Sequence, residues 1–182
     1  MPGGLYSGAA WISETGEIVG GSDGGTFFHA TLWKNGAVID LGTVYGETCS
    51  GANAINSAGQ IVGFASADCF NEDHAFLAQN GAIVDVNTLI SGGAGVTVVN
   101  AYDINDRGEI AGWGPLPNGD ERAVLLVPCD TNHPNIQGCD YSNVEASSAS
   151  TSASAPPKPA RFSKANMMMR IRARMASRYR RF

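Results

Sequence analysis

Three stretches of this chain carry one nine-residue pattern: "ISETGEIVG" from Ile12, "INSAGQIVG" from Ile55 and "INDRGEIAG" from Ile104. The isoleucine recurs after 43 and then 49 residues, a period that belongs to arrays of like structural units such as propeller blades. Each copy places Ser or Asn just after the isoleucine and glycine three residues later, as in Asn56 and Gly59. A polar side chain at the head of a turn can bond to the backbone beyond it, and glycine accepts the positive φ of a bulged corner. The repeated pattern is therefore read as a hairpin corner with Gly16, Gly59 and Gly108 at its critical position.

Further segments recur around the corners. "SGAAWI" and "SGANAI" precede the first two, "VVNAYDI" precedes the third, and "HATLWKNGAVIDLGT" and "HAFLAQNGAIVDVNT" follow the first two. The third copy has only the shortened "RAVLLV". Each full unit offers four short extended segments, in the second copy Gly51 to Asn56, Gln60 to Ala65, His74 to Ala78 and Ala82 to Val86. Four such segments in order make a meander, and the Asn-Gly pairs in "KNG" and "QNG" mark the last hairpin.

The predicted fold class is all-β: a propeller-like array of about three four-stranded antiparallel blades forming an incomplete ring, with a disordered or partly helical C-terminal tail. The β-repeat domain covers 1–145, with repeats at about 5–48, 49–96 and 97–128 and a cysteine-clipped segment at 129–140. A Ser/Ala/Pro linker at 146–160 and a basic tail at 161–182 follow. The third copy is expected to lack a fourth strand, because "PCDTNHPNIQGC" stands where one belongs.

Charge divides the chain in the same way. All 17 acidic residues lie in 1–145 beside Lys34, Arg107 and Arg122, a balance of −14, while 146–182 holds nine basic residues and no acid. No apolar run approaches the roughly 20 residues of a membrane helix. The tail can coil into a basic helix against anionic lipid, wall polymer, nucleic acid or the acidic body itself, or serve as a flexible solubilising extension. No specific nucleic-acid partner is expected, since no nucleic-acid fold accompanies the charge.

Cys49, Cys69, Cys129 and Cys139 follow no zinc spacing. In the hairpin around "NSAG", Cys49 faces the neighbourhood of residue 67, so a Cys49–Cys69 bridge is expected, with a local Cys129–Cys139 clip beside it. His29 and His74 hold the same place in their repeats and are assigned a packing or hydrogen-bonding role. His133, between Asp130 and Pro134, is read as part of an exposed polar turn rather than a metal ligand. The acidic loop with Asp68, Glu72 and Asp73 is read as solvated, calcium being the lesser reading.

The blocks "GANAINSAGQIVG", "HAFLAQNG" and "IDLGT" resemble the HAF family of probable extracellular repeat proteins, named for the triplet seen here as His74, Ala75 and Phe76. The resemblance spans about residues 2 to 127, and copies one and three depart from the triplet at Thr31, Arg122 and Val124. It implies a secreted or envelope-associated, propeller-like β-repeat protein and supplies no catalytic residue. It also implies a longer array, with missing blades coming from upstream chain or other protomers.

Two functions compete: a non-enzymatic extracellular module for structure, adhesion or display of a glycan or envelope polymer, and a propeller-type carbohydrate hydrolase or lyase. The enzyme needs paired carboxylates, yet among the inner positions Trp11, Ala54 and Asp103 only one is acidic. "SDGGTFF" also departs from the sialidase-like box, with Gly24 where aspartate belongs, and no Gly-x-Ser-x-Gly elbow occurs. The module is the preferred reading, with no catalytic, cofactor or metal residues assigned.

Overall fold

The corner pattern closes the same turn three times. In the computed structural model, which describes residues 4–91, 95–136, 139, 141 and the backbone of 169–172, Gly16, Gly59 and Gly108 have φ of 81°, 73° and 75°. Their N–H groups donate to the carbonyls of Ser13, Asn56 and Asn105. The side chains of those three residues accept in turn from the N–H of Glu17, Gln60 and Glu109. Turn chemistry alone thus accounts for the head and the glycine of each copy.

Among the described residues, twelve strands form three antiparallel four-stranded sheets, each a meander in chain order. Sheet 1 contains β1 (Ser7–Ile12), β2 (Ile18–Asp23), β3 (Phe28–Lys34) and β4 (Ala37–Gly42). Sheet 2 contains β5 (Cys49–Ile55), β6 (Ile61–Ser66), β7 (His74–Gln79) and β8 (Ala82–Asp85), followed by a 3-10 turn, Val86–Leu89. Sheet 3 contains β9 (Asn100–Ile104), β10 (Ile110–Pro115), β11 (Glu121–Pro128) and β12 (Met169–Arg172). The Asn-Gly pairs make the outer hairpins, Asn35 and Gly36 at φ 52° and 76° and Asn80 and Gly81 at 54° and 78°, the double positive φ of a type I′ turn.

The fourth strand of sheet 3 corrects the expectation that this sheet lacks one. Met169–Arg172 pairs antiparallel with Leu125–Pro128. The free edge of β11 presents unpaired backbone groups, and a remote segment of the chain satisfies them. These four residues belong to sheet 3. The linker at 146–160 and the rest of 161–182 lie outside the described residues.

A bulge falls at one repeat position in every sheet, at Ala10, Asn53 and Tyr102, where the inner strand's register slips by one residue. The bulge presses the inner strand onto its neighbour. A Cβ on Gly20, Gly63 or Gly112 would overlap the carbonyl oxygen of Gly8, Gly51 or Asn100 respectively. The last glycine of the nine-residue pattern is therefore set by close backbone approach, a second cause beside the turn.

The sheets stack face to face, and sheet 2 is buried on both sides. One core joins sheets 1 and 2 through Val19, Ala30, Ile55, Ile61, Phe76 and Ala78. The other joins sheets 2 and 3 through Val62, Leu77, Ile104, Ile110, Val124 and Leu126. Contact between sheets gathers on the first strands, while the fourth strands β4 and β8 barely touch, so the three sheets fan out from an edge formed by β1, β5 and β9. They do not by themselves close a ring.

Polar bonds fix the fan angle. Ser50 Oγ accepts from Ala30 N–H at 2.8 Å and donates to Gly42 O at 2.6 Å, serving the groups left unpaired where β3 and β4 slip register. Asn53, turned outward by its bulge, donates to Asn100 Oδ1 and Ala101 O across the next interface. Cys49 is joined to Cys69 and Cys129 to Cys139, with Cα separations of 5.2 and 5.3 Å. Both bridges are compatible with an oxidising compartment.

Candidate functional site

Because β1, β5 and β9 gather at the narrow edge of the fan, the three corners that end them meet at one place. Between them lies an open cup of about 340 Å³. Sheet 1 contributes Trp11, Ser13 and Glu14, sheet 2 contributes Asn56 and Ser57, and sheet 3 contributes Asp103, Asn105 and Asp106. Trp11 is 49% exposed, although Val19 opposite it is fully buried.

The corners are bound to one another as well as to themselves. Asn56 Nδ2 donates to Asn105 O at 3.0 Å, and Ser57 N–H donates to Asp106 Oδ1 at 2.9 Å. The backbone bond from Ser57, aided by its side chain, holds the Asp106 carboxyl below the usual aspartate value of 3.8. Asp106 is thus ionised at neutral pH. Asp103, which also lines the cup, accepts from Ile104 N–H through Oδ1 at 2.9 Å. Arg107, next along the corner, is occupied by Glu109, so three carboxylates dominate the cup.

An exposed indole beside carboxylates, amides and hydroxyls can stack on the apolar face of a sugar ring or on a cationic group while accepting its hydrogen bonds. A second cavity of about 370 Å³ lies between the outer hairpins of sheets 1 and 2. Its lining is mainly apolar, and its one cation, Lys34, is paired with Glu17.

The other residues singled out from the sequence lie away from the cup. His29 is the second residue of β3 and His74 the first of β7, at the opposite end of the strands from the corners. Their partners differ: His29 Nδ1 is 3.0 Å from Asp40 Oδ2, and His74 Nδ1 is 2.6 Å from Glu47 Oε1 with the Tyr45 ring edge-on. The acidic loop is divided among separate donors. Asp68, held at about 2 by backbone bonds from Asn71 and Phe70, also accepts from Ser66; Asp73 accepts from Ala67 N–H, and Glu72 from Trp113 Nε1.

His133 contradicts the reading as an exposed turn. It is buried, with Nδ1 at 2.7 Å from Asp130 Oδ1 and Nε2 at 3.5 Å from Glu109 Oε1, a pairing distance beyond hydrogen-bond geometry. The Cys129–Cys139 clip folds its loop back over the sheet 3 corner, which removes the imidazole from water. Sequence reasoning also passed over Glu14 and Asp106. The signal was available: both stand two residues after the repeated isoleucine, at the hairpin tip, as Ser57 does.

No protein-family model matches this chain, and no curated protein and no solved structure matches it either.

Proposed function

We propose that the chain is a non-enzymatic, propeller-like β-repeat module of an extracellular or envelope-associated protein, akin to the HAF family, that holds a glycan or envelope polymer in the cup between its corners. The observation that carries this reading is the convergence of all three repeated corners on one cup beside an exposed tryptophan. The two disulfides suit an oxidising location. Neutral and amine-bearing glycans are the favoured ligands, because a cup lined by Glu14, Asp103 and Asp106 repels anions.

A glycan array of both classes tests the proposal. Trp11→Ala is expected to weaken the strongest binding by at least about tenfold, as removal of an aromatic anchor does, with Asp103→Asn acting chiefly on amine-bearing glycans. Affinity unchanged by either substitution would refute the cup as the site.

The runner-up, a carbohydrate hydrolase, has one observation in its favour: Glu14, Asp103 and Asp106 border the same cup. Such an enzyme also needs a carboxyl kept protonated as general acid, whereas Asp106 is shifted toward the charged form. Turnover in a hydrolysis screen, abolished by Asp103→Asn with binding retained, would establish the enzyme instead.

A further inference from the structure

Every sheet presents two faces, and cross-strand register identifies equivalent residues on each. One face carries a ladder that starts at the repeated isoleucine. In sheet 2 this is Ile55, Ile61, Ala78 and Ile83, directly opposed in turn; in sheet 3 it is Ile104, Ile110 and Leu126. Both ladders are packed against the preceding sheet. The opposite face carries Val19 and Leu32 in sheet 1 and Val62 and Leu77 in sheet 2, and each of these packs against the following sheet. The two contacts are thus copies of one heterologous interface.

At the ends of the fan, among the described residues, each half of that interface is left uncovered. Sheet 1 carries the ladder Ile12, Ile18, Trp33 and Val38, with Ile12 62% and Val38 43% exposed. Sheet 3 carries Ala111 beside Leu125 at the positions of Val62 and Leu77, and Leu125 is 39% exposed. The side-chain sizes compensate: Trp33 stands where the buried ladders have Ala78 and Leu126, and Ala111 where the buried faces have Val19 and Val62. The same register row carries Asp103 on β9 and Arg172 on β12, and Asp103 borders the cup and keeps access to water there.

We infer that the uncovered face of sheet 1 docks the uncovered face of sheet 3 of a second copy of this chain, and reciprocally, so that two chains close one ring of six sheets. The inference rests on the propeller-like reading above and adds to it the partner and the number of copies. Rings of this kind typically hold four to eight sheets. Two copies of the three described sheets fall within that range, and three copies would exceed it. A two-fold axis also leaves no exposed apolar end on which a filament could grow. Corners of both copies would then surround one axial cup.

The test uses the full chain with Val38→Asp and Leu125→Asp, at exposed positions on the two docking faces, each checked for an unchanged circular dichroism spectrum. Light scattering at micromolar concentration should give twice the 19.0 kDa chain mass for the unmodified protein and a single chain for either variant. Mixing the two variants should restore a two-chain species, because one of the two contacts in the mixed pair is intact. A single-chain mass for the unmodified protein would overturn the inference, as would assembly beyond two chains. Sensitivity to Val38→Asp but not to Leu125→Asp would also overturn it, since two sheet 1 faces would then be packed together. Glycan binding scored in parallel separates the claims: single chains that keep Trp11-dependent binding refute the ring alone, and two-chain rings without it refute the ligand reading alone.

Discussion

Gly63 sits where the Asn53 bulge drives the Gly51 carbonyl against the facing strand, so even a methyl group has no room. Gly63→Ala should cost about 1–3 kcal/mol through forced backbone displacement. Gly8→Ala, where an added Cβ meets nothing, should stay within about 0.5 kcal/mol. Urea midpoints of the two variants measure the difference, and equal midpoints would show that the bulge yields. The same scale separates His29 from His74. Their common place in the repeat was legible, but their carboxylate partners, Asp40 on β4 and Glu47 in the loop before β5, come from different parts of the repeat. Equivalent position does not imply an equivalent partner, because partners depend on what the neighbouring loop brings near.

Among the elements, the corner hairpins and the Asn-Gly hairpins were readable because backbone dihedral preference is local and strong. The Cys49–Cys69 bridge follows from the same locality, since β5 and β6 pair Cys49 with Ser66 and leave Cys69 just beyond the strand end. Replacing both cysteines by serine opens a loop of 20 residues and should remove about 3 kcal/mol of stability. Denaturation with and without reductant checks this: the double variant should be insensitive to reductant at this bridge, and a midpoint equal to that of the oxidised parent would contradict the prediction. By contrast β12 was not readable. Its pairing partner is more than forty residues away in sequence, and four residues of alternating character in a basic segment carry no signal of where an open strand edge waits.

For the whole molecule, polar contacts join each sheet to the next beside the apolar cores, and Asp106 supplies a charged one. Asp106 accepts from Ser57 N–H across the sheet 2–sheet 3 boundary and is held below its ordinary value. A lowered folded value means that this stabilisation is fully present above the unfolded value of 3.8 and is lost as pH falls through the folded one. The fall in melting temperature between neutral pH and pH about 3 should therefore be smaller in Asp106→Asn than in the parent. An identical fall would show that the carboxylate does not couple the two sheets. The cup itself was half legible: Trp11 and Asp103 stood out as inner-strand residues, while Glu14 and Asp106 became neighbours only through the stacking of separate sheets.

By itself the sequence determined the strand order within the repeats, the turns with their corner glycines and the local cysteine pairing, because each depends on dihedral preference or on contacts within about twenty residues. Only the tertiary structure decided which strand completes sheet 3, how three corners come to share one cup, that His133 is buried, and which two apolar faces are left uncovered. Those outcomes depend on which surfaces remain after each sheet has buried its neighbour, and that remainder belongs to the assembled stack rather than to any single repeat.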